Sequence, residues 1–260
     1  MSVALENGRR QYDYWLTVYK RTWKGTLIGS FVLPALYLAA MGVGLGSFVD
    51  TKGTAALGGV SYLQFIAPGL LASTALQIAV GESTYPVLSG LKWQKFYHSM
   101  IATPLRPADV VYGQLAFIAF RTASTCIVFL GVIAVFGGLH SPLGVVALPV
   151  VVLVGMAAAA PVVAFASGLD NDAGLAMVFR FGVVPAFLFS GAFFPVSQLP
   201  NWIEWLAYLS PLWHGVQLSR DLSLGTIHPW LVLLNLAYLL AWFVIGTKLA
   251  IRGFTRKLIG

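Results

Sequence analysis

The chain has 260 residues, 58% of them apolar and only 10% charged, with a formal net charge of +7. A water-soluble domain carries about 25% charged residues, so the deficit excludes an ordinary soluble globular surface and means that most of this surface faces lipid. The positive charge raises nucleic acid as a partner, but the basic residues gather at the ends of apolar runs, which fits membrane topology and anionic headgroups instead.

Gly and Pro interrupt the runs at helical rather than strand intervals, so the expected fold is a single all-α membrane domain over residues 1–260. Residues 1–24 hold no apolar core before a small-residue cleavage site and do not read as a cleavable signal peptide. Trp15, Leu16, Tyr19 and Trp23 share one helical face, with Arg9, Arg10, Lys20, Arg21 and Lys24 around them. That pattern predicts an interface helix over 1–25; a simple basic anchor beside the membrane is the alternative. Six spans follow at 26–48, 60–81, 110–136, 143–167, 173–194 and 230–247, each near the ~20 residues that a bilayer core requires. Pro34 is an expected kink in the first. Cys126, the single cysteine, lies inside the third, so no internal disulfide framework exists.

Orientation follows from Lys and Arg. With the N-terminus inside, the cytoplasmic side collects Arg9, Arg10, Lys20, Arg21, Lys24, Lys92, Lys95, Arg106, Arg180, Lys248, Arg252, Arg256 and Lys257. Only Lys52 and Arg220 remain outside. Both termini are therefore expected in the cytoplasm.

Residues 82–109 form the one long cytoplasmic connection. Within it, LKWQKFYHSM has the length of about two and a half helical turns, after Gly90 and before Pro104 and Pro107. Leu91, Lys95 and His98 share one face, with Lys92 nearby; Trp93, Phe96, Tyr97 and Met100 form a second, largely aromatic face. The segment reads equally as an interfacial anchor or as a docking surface whose aromatic side chains fill a partner's groove. Pro107 and Asp109 occupy favoured positions at the start of the third span.

The stretch Leu188–Gly225, most of which falls in residues 195–229 between the last two spans, is too apolar for a water-facing loop and too interrupted for a span. Trp202, Trp205, Leu206 and Leu209 fall at i, i+3, i+4 and i+7, one stripe of a short amphipathic helix. Asn201 and Glu204 are spaced as a capping box. Ser210-Pro211 ends that helix and opens a second, with Leu212 and Val216 on one side. Two short helices in, or dipping into, the outer membrane face are expected.

Three separated motifs, YLQFIAPGLL, MIATPLRPADVVYGQL and FLFSGAFFPVSQLP…LSPLWHGVQLSRDLSLG, resemble ABC-2-type permeases, in the branch with nodulation-factor (lipo-oligosaccharide) and daunorubicin-type drug exporters. The resemblance covers nearly the whole chain. It implies six transmembrane helices, an N-terminal interface helix and a coupling helix after the second span. It also implies re-entrant helices before the sixth and a permease dimer working with two ATP-binding subunits. No G-x-x-x-x-G-K-[ST] loop occurs in this sequence. ATP and Mg are thus expected on a partner ATPase and no cofactor on this chain.

Catalytic and metal-binding patterns are missing from the sequence. His98, His140, His214 and His228 form no H-E-x-x-H or His/Cys grouping, and Ser190 has no histidine within a span to act as its base. The acidic residues sit at span ends or in turns, unlike those of an ion-coupled transporter. Gly25/Gly29 and Gly42/Gly46 have the spacing of close helix contacts, or of incidental packing. Arg121 lies inside the third span, where an arginine at helix centre costs ~2.5–3.5 kcal/mol on insertion scales. Glu82, at the matching end of the second span, is its expected counter-ion in a structural pair; a direct substrate contact is the alternative.

The reading is a permease subunit of an ATP-driven exporter in a prokaryotic cytoplasmic membrane. Leu91, Lys92, Trp93, Lys95, Phe96, Tyr97 and His98 would couple it to the ATPase. Phe31, Tyr37 and Phe187 would wall a path between two protomers, with Gln64, Gln77 and Ser190 as sparse polar contacts. Such charge-poor walls suit an amphipathic or lipid-linked substrate. A non-transporting membrane scaffold or receptor is the alternative from another class.

Overall fold

The structure is a computed structural model that describes residues 12–13, 15–17, 19–21, 32, 35–51, 53, 57, 59–139 and 141–260. Among these residues all regular secondary structure is helical, with no strand. Four helical stretches are long and apolar enough to cross a membrane: Tyr62–Trp93, Pro107–Val135, Leu143–Gly168 and Pro229–Leu258. They fall on four of the six expected spans. The other two coincide with shorter apolar helices, α1 (Ala35–Thr51) and α6 (Ala173–Phe189). The beginning of the first expected span, with Phe31, Pro34 and the Gly25/Gly29 pair, lies outside the described residues, as does Trp23.

Local chemistry sets the helix starts. Before α2 (Tyr62–Ser83), the Ser61 hydroxyl accepts from the Gln64 N–H at 3.3 Å, and Gln64 Oε1 accepts from the Ser61 N–H at 3.4 Å. This reciprocal capping box satisfies two otherwise orphaned donors. After α3 (Phe96–Ile101) comes α4 (Pro107–Val135), which starts at Pro107, with Asp109 Oδ2 accepting from the Arg106 N–H at 3.0 Å.

The central element is α5 (Ala147–Gly168). It packs against α2, α4, α8 (Pro211–Leu224) and α9 (Pro229–Leu258). Small residues allow this crowding: α5 carries the run Gly155-Met-Ala-Ala-Ala-Ala-Pro161. A Cβ on Gly246 of α9 would come within 2.5 Å of the Pro161 nitrogen, so the two backbones touch where Pro161 has no N–H to offer.

At one end of the bundle, here termed the basic end, α3, residues 169–172 and the last turns of α9 meet. Asp170 Oδ1 accepts from Lys257 Nζ at 2.9 Å, and Lys92 donates to the Asp170 carbonyl. The hydrogen bond from Lys257 holds the Asp170 carboxyl below its ordinary pKa. α9 does not stop at the expected membrane boundary near Thr247 but continues to Leu258.

The N-terminal aromatic face packs on protein. Trp15 stacks on Phe117 of α4 at 5.1 Å between ring centroids, and Tyr19 meets Phe120 edge-on at 5.8 Å.

Candidate functional site

At the end opposite the basic one, α1, α6 and the turn after α6 enclose a cleft of about 690 Å³. Its wall includes Tyr37, Met41, Leu45, Tyr62, Phe187 and Phe193, with Gln198 as a polar group at the margin. Tyr37 meets Phe187 edge-on at 6.3 Å, and Phe187 meets Phe193 edge-on at 4.9 Å. These rings form a continuous apolar surface with two phenolic hydroxyls, from Tyr37 and Tyr62. Such a surface accepts acyl or aromatic groups and offers little to a small ion.

The turn carrying Phe193 is fixed from behind. Gly191 takes φ 79°, a conformation that glycine adopts without a Cβ penalty. Its carbonyl accepts from Arg220 Nη2 at 2.7 Å, while Arg220 Nε donates to the Phe65 carbonyl at 3.3 Å. Tyr62 donates its hydroxyl to the Phe193 carbonyl at 3.3 Å. Ala192 presses on Gly69, where a Cβ would lie 2.7 Å from the Ala192 Cα. The cleft therefore has one wall clamped to α2 and α8.

Of the residues expected to line a path, Tyr37 and Phe187 meet in this cleft. Gln64 is engaged in the α2 capping box. Gln77 is exposed on α2 and does not line the cleft, and Ser190 is buried, its hydroxyl donating to the Phe187 carbonyl at 3.3 Å. Sequence spacing missed Met41, Leu45, Tyr62 and Phe193, whose apolar side chains look like any lipid-facing residue. It also counted Arg220 as an outside charge; the structure buries it. A lone arginine in a charge-poor stretch was the available signal.

The element before the last helix divides in two. α7 (Asn201–Tyr208) leaves its stripe uncovered, with Trp202 and Trp205 each 73% exposed. The expected Asn201 capping box is not formed: Pro200 holds the cap position and has no N–H for Glu204 to reach. Glu204 accepts instead from the Tyr208 hydroxyl. α8 starts as expected, the Ser210 hydroxyl accepting from the Leu212 N–H at 3.3 Å. Yet it is packed inside the bundle. His214 is hydrogen-bonded to Asn235 of α9 at 2.7 Å and lies against the Tyr238 ring at 3.9 Å.

At the basic end, the expected single helix over Leu91–Met100 is broken. Ser89–Trp93 forms a π-helical turn, and Lys95 takes a left-handed φ of 54° before α3 begins. Leu91 and Tyr97 are buried, Tyr97 donating its hydroxyl to Gln114 Oε1 at 2.9 Å and meeting Phe254 edge-on. Phe96 is partly covered by Trp15 and Tyr97, and His98 is also partly buried. Lys92, Trp93 and Lys95 are exposed. The aromatic face thus divides: Tyr97 and Phe96 hold α3 to the bundle, while Trp93 stands outward between two lysines.

Glu82 and Arg121 do come together. Glu82 Oε1 accepts from Arg121 Nη2 at 3.0 Å and from Nε at 3.1 Å, and the Tyr19 ring lies 4.8 Å from the guanidinium.

Comparison with known proteins matches residues 13–224 to the family described as ABC-2 type transporter. Nodulation protein J of Rhizobium leguminosarum bv. trifolii is 34% identical over 228 residues, covering 83% of this chain and 82% of the relative. The same-named protein of Rhizobium leguminosarum bv. viciae is 32% identical, covering 81% and 82%. That of Sinorhizobium fredii is 31% identical over 81% of each chain. With a match across most of its length and relatives above 30% identity aligned over four-fifths of it, the chain belongs to the ABC-2 type transporter family, as a membrane subunit of a transporter.

Proposed function

We propose that this permease exports an amphipathic, lipid-linked or drug-like molecule across a prokaryotic cytoplasmic membrane, powered by a separate ATPase. The observation that carries the substrate class is the cleft between α1 and α6, walled almost wholly by apolar and aromatic side chains. In this reading α1 and α6 belong to the first and fifth of six spans, both termini are cytoplasmic and the basic end faces the cell interior. α7 then lies in the outer membrane surface as part of a re-entrant element. Two permease protomers face each other across their clefts, and two ATPase subunits dock beneath them.

Lys92, Trp93 and Lys95 form the tip that meets the ATPase. Closure of the ATPase pair on ATP pushes this tip, and Tyr97 transmits the displacement through its contacts with Gln114 of α4 and Phe254 of α9. The cleft then opens or narrows as the helices shift. Packed interiors transmit such displacement because they are not freely compressible.

The test is co-expression and co-purification with an ABC ATPase subunit from the same genome, followed by ATP hydrolysis in proteoliposomes. The reading expects hydrolysis to rise when acylated oligosaccharides are added and to stay flat with the deacylated sugars. Purification without any ATPase, or hydrolysis indifferent to amphiphiles, contradicts it and favours a scaffold.

A further inference from the structure

The last turns of α9 carry a basic stripe that is no part of the cleft or of the tip formed by Lys92, Trp93 and Lys95. Lys248, Arg252 and Arg256 recur every four residues along one helix and are all exposed, so they share a face. Among the described residues none of the three forms an ion pair; Lys257, on another face, is the one turned to Asp170.

The same side of α9 continues toward the other end as an outward apolar surface with Ala241, Ile245 and Leu249, Ile245 being 59% exposed. Trp230, 71% exposed, marks the far end in the position of an interfacial aromatic anchor. Eighteen residues separate Trp230 from Lys248, an axial rise of about 27 Å, close to the ~30 Å hydrocarbon thickness of a bilayer. If Trp230 rests at one headgroup layer, Lys248 emerges at the other. Arg252 and Arg256 then follow at about 6 Å intervals through the headgroups, with the Lys248 stem lying along acyl chains and its ammonium in the polar layer.

We propose that Lys248, Arg252 and Arg256 form a binding surface for anionic phospholipid headgroups, so that this permease selects acidic lipid around the end of α9. Charge complementarity supplies the attraction, since three cations face outward with no carboxylate among them. Continuity with the apolar face of α9 identifies the occupant as a lipid rather than an acidic protein surface. Lipid selection is a property beyond transport and would hold in a permease with no ATPase attached.

The test uses the full-length permease reconstituted in phosphatidylcholine bilayers containing trace spin-labelled phosphatidylglycerol or spin-labelled phosphatidylcholine. The fraction of each probe immobilised at the protein is read by electron spin resonance. Wild type is expected to prefer phosphatidylglycerol severalfold, and the preference should weaken at high salt. Each charge near an anionic surface contributes up to about fivefold, so Lys248→Gln/Arg252→Gln/Arg256→Gln should bring the preference to near unity. Arg252→Lys/Arg256→Lys, which conserves charge, should keep it. Gel-filtration profiles matching wild type establish that each variant is folded. An unchanged preference in the folded triple variant overturns the proposal. So does a triple variant that keeps the preference but no longer retains the ATPase in pull-down, because the stripe would then be a protein-docking surface.

Discussion

Arg220 Nη2 stands 2.7 Å from the Gly191 carbonyl oxygen, and the same guanidinium lies 3.9 Å from the centre of the Phe65 ring. One buried cation therefore ties α8 to the start of α2 and to the turn that walls the cleft. Its planar fork reaches two carbonyls at once, which a lysine's single ammonium cannot do in the same geometry. Arg220→Lys should lower thermal stability by about 1–3 kcal/mol, the cost of leaving buried polar groups without partners. Scanning fluorimetry of the purified permease measures the shift. An unaltered melting profile would show that the clamp is dispensable.

The Glu82–Arg121 pair predicts a non-additive cycle. Arg121→Ala strands the Glu82 carboxylate, and Glu82→Gln strands the guanidinium, whereas the double variant strands neither charge. The double variant should be more stable than the sum of the single losses implies, with a coupling of at least ~0.5 kcal/mol. Measured melting shifts that simply add would refute the coupling.

Backbone contact between α5 and α9 predicts a steric failure at one glycine and tolerance at another. Gly246→Ala places a methyl 2.5 Å from the Pro161 nitrogen, whereas a methyl on Gly182 would have nothing within 4 Å. Overpacking of this kind costs about 1–3 kcal/mol or more. Folded yield of Gly246→Ala should fall well below that of Gly182→Ala, and equal yields would contradict the packing.

Trp93 and Phe96 separate docking from folding. Trp93→Ala removes an exposed ring and should leave insertion and melting unchanged while ATPase retention in pull-down drops about thirtyfold, as for an anchor worth ~2 kcal/mol. Phe96 packs against Trp15 at 5.6 Å and Tyr97 at 4.2 Å, so Phe96→Ala should also lower the melting temperature. Full ATPase retention by Trp93→Ala would remove this tip as the docking element.

The spans were legible where hydropathy alone decides. The expected 60–81 stands against Tyr62–Ser83, and 110–136 against Pro107–Val135. Hydropathy measures lipid thickness rather than helix length, which is why 230–247 gave no sign that α9 continues to Leu258. Glu82 and Arg121 could be paired in advance because an intramembrane charge demands a partner at similar depth. The break in the loop helix was not legible, since it depends on the left-handed backbone of Lys95, a conformation that lysine rarely takes. α8 reads as a short helix in, or dipping into, the outer membrane face, without its packing partners, because Asn235, Phe65 and Gly191 are distant in sequence. Tertiary hydrogen bonds turned its polar residues inward, and no local periodicity reports that.

The central claim, that an amphipathic substrate passes through the cleft between α1 and α6, is tested most directly by filling the cleft. Met41→Trp and Leu188→Trp each place an indole among the lining residues. The measurement is ATP-dependent uptake of a fluorescent acylated oligosaccharide into inside-out vesicles containing permease and ATPase, with ATPase retention scored in the same preparation. The expected result is at least a tenfold fall in uptake for both variants with retention unchanged. Wild-type uptake in a stably folded, cleft-filled permease would contradict the account.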